Sequence, residues 1–346
     1  MQLFSNDLGV DLGTSNVLIY AENKGIVVRE PSVVAVDKIS GKILQVGTAA
    51  KNMLGRTPGN VVAMHPLKDG VISDHEMTVK MLQYLFRSAG NSKFFAPKPR
   101  IIISVPCGIT DVEERTVINA AIEAGARRVY LIQEPLAAAL GANMDLRGPN
   151  GHMVVDIGGG TTDIAVLTMN DVSVSSSIKV AGLAFDDAIA RYVRRKHSVV
   201  IGQNTAEDIK IRIGSVFPRD DDMSMTVKGR DAKNGTPQEV ELYASEIYQV
   251  LSRMARQITD EVLAVLEDTS PELVADIATN GITLTGGASQ IWGMDKLLQE
   301  RTGIPCSVAD DPEACVAYGC GKSLSWINHM NEGPINIARK RILKGK

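Results

Sequence analysis

The amino-acid sequence predicts an α/β protein of duplicated design, with two related lobes facing each other across a cleft. Two observations predict it. The first is a turn that occurs twice. Asp11-Leu12-Gly13-Thr14-Ser15-Asn16 and Asp156-Ile157-Gly158-Gly159-Gly160-Thr161-Thr162-Asp163 each follow a short apolar run and lead into another, at 17–20 and 164–167. The second is order: each turn is followed by strands, a helix, a strand and a helix. Glycine at the bend permits positive φ, so consecutive N–H groups can point at one anion. One such hairpin in each half implies two lobes closing on a polyphosphate.

Taken along the chain, residues 8–20, 26–36 and 43–47 read as consecutive strands separated by Gly or charged turns. Residues 101–106 (Ile-Ile-Ile-Ser-Val-Pro) form the kind of run that is buried on both faces of a sheet. Thr110 starts a helix, with Glu113 completing a capping box and Gly125 near its end. Another buried strand covers 129–132, and an alanine-rich helix begins at Pro135. The second half repeats the theme, with strands at 153–157, 164–168 and 172–180 and helices at about 184–197 and 205–214. A polar, charged stretch occupies 218–240. From Ala244 to Glu267, Ile247, Val250, Leu251, Met254, Ile258, Val262 and Val265 mark one face of a long helix. The strand 282–285 stops at Gly286-Gly287.

Composition narrows the function. At 346 residues the chain is too long for one small core. Aromatic residues make up only 4%, which argues against platforms that stack nucleic-acid bases. A net charge of −3 supplies no general attraction to nucleic acid or anionic lipid, so no nucleic-acid partner is expected. Cys107, Cys306, Cys315 and Cys320 form no CxxC pair and read as reduced thiols of a cytoplasmic protein. No N-terminal signal-peptide order and no membrane-spanning apolar run is visible, so a soluble or peripheral protein is expected.

Neither hairpin contains a lysine, and the P-loop pattern with its Lys-Ser/Thr is absent. Backbone amides and hydroxyls then share the phosphate charge with a metal. Asp11 and Asp156 are placed to hold a hydrated Mg²⁺, which binds through one or two carboxylates and keeps several waters. Each turn alone also reads as an ordinary β-hairpin with glycine at the bend. The matched Asp-x-Gly order in both halves favours the phosphate reading.

With those residues in hand, the chain resembles the actin/Hsp70/sugar-kinase superfamily. The two hairpins and the turn Leu284-Thr285-Gly286-Gly287-Ala288-Ser289 carry that match. Within it, the chain is similar to bacterial actins of the MreB/Mbl family. That closer likeness rests on Glu30-Pro31-Ser32-Val33-Val34, Gly55-Arg56-Thr57-Pro58-Gly59-Asn60 and Pro66-Leu67-Lys68-Asp69-Gly70-Val71-Ile72. It also rests on Gln133-Glu134-Pro135-Leu136-Ala137-Ala138-Ala139 and Ala317-Tyr318-Gly319-Cys320-Gly321.

The resemblance implies a duplicated actin-like (RNase H-like) fold, in which each lobe has a large and a small subdomain and ATP (or ADP) with Mg²⁺ lies in the cleft between them. The large subdomain of the first lobe would comprise 1–30, 66–138 and 312–346, and its small one 31–65. The second lobe would divide into 139–180 plus 245–311, and 181–244. The family polymerises into paired protofilaments at the inner face of the cell membrane and guides cell-wall synthesis. That implies self-association, inner-membrane lipids and the membrane proteins of the elongation machinery as partners. A filament needs different patches on the two ends of each subunit; 31–65 and 218–240 are candidates because the smaller subdomains lie there.

Phosphate contacts are expected from Gly13, Thr14, Ser15 and Asn16, and from Gly158, Gly159, Gly160, Thr161 and Thr162. Phosphoryl chemistry is mostly positioning plus electrostatics, so a group must orient water near the γ-phosphate. Glu134 ends a buried strand before a helix, where Glu is also favourable as a cap; the family places its catalytic glutamate there. Thr161 matches a threonine linked there to hydrolysis. Glu207 and Lys210 share one helix face and read as a solvated ion pair, whereas the family uses a Glu-x-x-Lys here against the nucleoside. Gly286, Gly287 and Ala288 would approach the adenosine. Asp163 stands where many relatives carry glutamate.

For the membrane, the resemblance points to loop 93–98, where Phe94 and Phe95 lie between Lys93 and Lys98. An apolar loop tucked into the core reads equally well from sequence alone. Residues 1–4 could be a small second anchor. The basic tail, with Arg339, Lys340, Arg341, Lys344 and Lys346, reads as a solubilising end or a further lipid contact. Two other functions share the nucleotide core. A chaperone of the Hsp70 type needs a substrate-binding module, for which the 25 residues after Gly321 are expected to be too few. A sugar kinase needs a base for a substrate hydroxyl, and no motif supplies one.

Overall fold

The computed structural model describes residues 7–91, 98–329 and 335–336. Its two large sheets are built to one plan. In the first lobe six strands run in the order Ile335–Asn336, Arg128–Gln133, Arg100–Val105, Leu8–Leu12, Asn16–Ala21, Gly25–Pro31. In the second, five strands run Cys306–Val308, Ile282–Thr285, His152–Ile157, Thr162–Thr168, Asp171–Ile178. Each sheet is an antiparallel meander of three strands, whose first strand then pairs in parallel with a later one. Ile101, Ile102 and Ile103 have no exposed surface, as a strand covered on both faces requires.

Register makes the duplication residue-specific. Leu12 pairs with Val17 across the first turn, and Ile157 pairs with Thr162 across the second. Asp11 and Asp156 therefore occupy equivalent positions, each one residue before the turn opens. The capping box forms as expected: Glu113 N–H donates to Thr110 Oγ1 at 3.3 Å, and Thr110 N–H donates to Glu113 Oε2 at 2.8 Å.

Two expectations need correction. The strand expected over 26–36 is broken in two. Gly25–Pro31 stays in the large sheet, whereas Val34–Asp37 joins Ile43–Val46 and Val61–Met64 in a separate small one. Pro31 has no N–H to continue the ladder, and the next residue is diverted: Ser32 N–H donates to Ser15 O at 2.8 Å. Its hydroxyl donates to Gly13 O at 2.6 Å. The polar stretch 218–240 contains much of a hairpin, Ser224–Asp231 against Pro237–Tyr243. Only Val227 and Leu242 of these strands are fully buried, so the apolar alternation that marks a strand is faint.

The lobes share one apolar layer. The helices Glu134–Gly141 and Cys315–Ser323 cross between the two sheets with their backbones in contact. A β-carbon on Gly141 would stand 1.8 Å from Cys315 O, and one on Gly319 would stand 1.8 Å from Ala137 O. Leu136, Val316 and Cys320 from these helices pack with Ile102 and Ile132 of one sheet and Val154 and Leu167 of the other. The long helix Ala244–Glu267 buries Ile247, Leu251, Ile258, Val262 and Val265 against the second lobe; Val250 and Met254 are only half-buried. Among the described residues, no helix is long and apolar enough to cross a membrane. Phe94, Phe95, residues 1–4 and the basic tail lie outside the described residues.

Candidate functional site

The two hairpins meet. A β-carbon on Gly160 would lie 2.4 Å from Thr14 Oγ1, and the Thr14 hydroxyl itself accepts from Gly70 N–H at 2.9 Å. A β-carbon on Gly159 would lie 2.0 Å from Ser15 Oγ, so Gly159 and Gly160 are required by the side chains of the first turn. The second turn is also tied to the next helix: Gly182 N–H donates to Gly158 O at 3.0 Å, and Leu183 N–H to Gly159 O at 2.8 Å. These bonds fix the peptide planes of the turn.

Around this junction lies a cleft of about 450 Å³. Its wall includes Asp11, Gly13, Thr14, Ser15 and Asn16 from the first hairpin and Asp156, Gly158, Gly159, Gly160 and Thr161 from the second. Glu134, Glu207, Lys210, Gly286, Gly287 and Ala288 complete the set named from sequence. Thr162 is the exception. It is fully buried, and its hydroxyl donates to Val180 O at 2.7 Å. Glu207 and Lys210 do not pair with each other. Glu207 is 2.6 Å from Lys51 Nζ of the other lobe, and Lys210 Nζ is 2.8 Å from Asp186 Oδ1.

Sequence reasoning missed Gly70, Gly182, Gln290, Ile291 and Glu313, which also line the cleft. Gly70 had a signal, since Asp69-Gly70 is a turn dipeptide in a motif already quoted, and its φ is indeed 79°. Glu313 had none; it acts by accepting from Asn16 Nδ2 at 2.7 Å, a contact between residues 297 positions apart.

The floor of the cleft is crowded with carboxyl groups. Burial, then Asp156, pushes the Asp11 carboxyl up to about 8, although Ser104 Oγ donates to it at 3.3 Å. Burial pushes Asp156 up to about 7, and Thr285 Oγ1 donates to its Oδ1 at 2.7 Å. Glu134 is held well above the usual carboxylate range by burial and then by Asp163, Asp11 and Asp156. Asp163, also raised by burial, accepts from Cys107 N–H at 2.9 Å. Among the described residues, the main influences on Asp11, Asp156 and Glu134 are burial, other carboxyls and hydroxyl donors rather than cationic side chains. Buried negative charge without a counter-charge is costly, so this floor fits a divalent cation. Among the described residues no group of three or more His, Cys, Asp or Glu side chains that could hold a metal ion occurs; a hydrated hard cation needs only one or two carboxylates.

Two copies of one sheet, joined back to back by a pair of helices and presenting paired Gly/Thr turns to a shared cleft, define an actin-like protein. Solved structures agree. MreB5 of Spiroplasma citri bound to AMPPNP superposes with a TM-score of 0.89 at 38% identity, covering 94% of this chain and 98% of that one. The MamK double helical filament, at 22% identity and TM-score 0.78, shares the fold. The chain belongs to the MreB/Mbl family: the model for "MreB/Mbl protein" matches residues 5–332. The cell shape-determining protein Mbl of Bacillus cereus is 48% identical over 328 residues, 95% of this chain and 98% of its own. The cell shape-determining protein MreB of Escherichia coli is 47% identical over 330 residues, 94% and 95% of the two chains.

Proposed function

We propose that this chain binds ATP with Mg²⁺ between its lobes, hydrolyses it slowly, and polymerises into membrane-associated filaments that direct cell-wall synthesis. The observation that carries the reading is the junction of the two hairpins above Asp11, Asp156 and Glu134. It offers backbone amides and hydroxyls from both lobes to one polyphosphate, beside buried carboxylates able to hold a hydrated cation. MreB5, a relative of the same family, is bound to AMPPNP in one structure and to ADP in another.

In this reading Gly13, Thr14 and Ser15 contact phosphate from one side and Gly158, Gly159 and Gly160 from the other. Asp11 and Asp156 would hold Mg²⁺, which supplies positive charge to the phosphates when bound. Glu134 begins its helix 8% exposed at the cleft floor, where it could meet a water beside the terminal phosphate. Its carboxylate would accept a proton from that water and orient it toward the terminal phosphate, with the Thr161 hydroxyl holding the same water. Glu207, Lys210 and the turn at Gly286, Gly287 and Ala288 would take the nucleoside. Self-association into paired protofilaments follows the family, as do cytoplasmic placement at the inner membrane through loop 93–98 and contact with elongation proteins. MamK, a protein of the same fold, forms a double helical filament.

High-speed sedimentation tests the reading. The purified chain should pellet as filaments with ATP and Mg²⁺ and stay in the supernatant when nucleotide is removed. Protein that retains no ATP at high Mg²⁺ would overturn it.

A further inference from the structure

We propose that Asp186 positions Lys210 at the nucleoside end of the cleft, so that a carboxylate which does not touch the nucleotide sets its affinity. The proposal rests on the reading of the cleft as a nucleotide site.

Asp186 lies on the helix Gly182–His197 and is 2% exposed. A carboxylate so buried is rare unless it is paired. Its partner is Lys210, on the next helix, Gln203–Ile213, whose side chain is 11% exposed. The Lys210 ammonium also donates to Gly182 O at 3.0 Å. An ammonium has three donors, and these two contacts leave one for the cleft that Lys210 lines.

The place is defined from several sides. A β-carbon on Gly182 would lie 3.4 Å from Lys210 Nζ and 3.5 Å from Ala288 Cβ. The ammonium therefore sits where the helix start meets the 286–288 turn. Gly182 in turn donates to Gly158 O of the second hairpin. Glu207, one turn earlier on the same helix, does not compete for Lys210, because it is engaged with Lys51 across the cleft.

Helix packing alone does not account for the pair. Apolar side chains of similar volume would join two helices at least as well as a buried ion pair. What the ion pair adds is a fixed cation on the cleft wall. Lysine is a flexible four-carbon stem carrying a point charge. Anchored by Asp186, it meets a ligand without first losing that freedom.

The test compares Mg²⁺-ATP with Mg²⁺-tripolyphosphate, which has the phosphates but no nucleoside. Wild type should bind both. Asp186→Asn should weaken ATP by about tenfold to hundredfold, the scale of a charge-assisted hydrogen bond, and leave tripolyphosphate within about twofold. In steady state KM should rise while kcat at saturation holds. In a Lys210→Gln background, which has no buried ammonium to leave unpaired, Asp186→Asn should cost no further ATP affinity. That comparison stands even if the Asp186→Asn single variant does not fold. Unchanged ATP affinity in Asp186→Asn overturns the proposal, as does an equal fall for both ligands. An equal loss of ATP affinity with and without Lys210 overturns it too. Wild-type protein that binds no ATP overturns the nucleotide reading, and this proposal with it.

Discussion

Gly159 faces Ser15 of the opposite lobe so closely that a β-carbon on it would stand 2.0 Å from the Ser15 hydroxyl oxygen and 2.6 Å from Ser15 Cβ. The second distance matters more, because a hydroxyl can rotate away and a β-carbon cannot. Gly159→Ala should therefore force the two turns apart. ATP affinity should fall by tenfold or more, since a misplacement of about 1 Å can cost roughly 10²-fold where geometry governs. Calorimetric titration with Mg²⁺-ATP measures it; wild-type affinity in the variant would show that the turns need not meet.

Glu134→Gln separates binding from hydrolysis. The amide keeps the shape but cannot take a proton, so phosphate release should fall by roughly 10² to 10⁴, the usual range for a positioned acid–base group. Glu134→Ala should do the same, and ATP should still bind both variants. Glu134→Gln also removes a carboxyl from a crowded buried floor. The nucleotide-free variant should melt higher by roughly 1–2 °C, as expected for about 1 kcal/mol in a chain of this length. Unchanged phosphate release would take Glu134 out of the mechanism.

The aspartates at the floor predict a pH dependence with a definite sign. Asp11 and Asp156 hold their protons up to about 8 and about 7 in the folded chain, against 3.8 when unperturbed. Between these limits the folded state binds more protons than the unfolded one, so stability falls as pH rises. Below the unperturbed value the cost is absent, and above about 8 it is complete. In chelator and without nucleotide, the protein should melt lower at pH 8.5 than at pH 6. Adding Mg²⁺ with ATP near pH 7 should release protons, seen as a binding heat that changes with the buffer. A chelated melting temperature that climbs over this range would contradict the assignment of these carboxyls as desolvated without a counter-charge.

Membrane attachment is tested at Phe94 and Phe95. Phe94→Ser/Phe95→Ser should reduce sedimentation with anionic liposomes. Raising the salt should weaken what remains, because basic flanks contribute roughly 1 kcal/mol each and are screened. Full co-sedimentation of the double variant would exclude this loop as an anchor.

Much of the cleft was legible because its chemistry is local. Asp-x-Gly followed by hydroxyls announces a tight turn with a carboxylate at its start within six residues, and register then sets Asp11 and Asp156 in equivalent places. The long helix was legible for the same reason, since one stripe repeats over six turns. What stayed hidden depends on contacts between distant segments. Thr162 looked like its neighbour Thr161, yet strand alternation turns it to the opposite face, toward Val180. Glu207 and Lys210 share a helix face, but each found a better partner elsewhere, and neither Lys51 nor Asp186 is close in sequence. The break at Ser32 is set by Gly13 and Ser15, which no local pattern around 26–36 could announce.

The crossing of Gly141 and Gly319 decides how far the duplication extends. Each half repeats a sheet, but neither has its own cover for the inner face; one pair of touching helices serves both. Cut the chain between the repeats and each fragment would expose half of that common layer to water. The two halves thus form one folding unit, which should melt as a single calorimetric peak despite its two sheets.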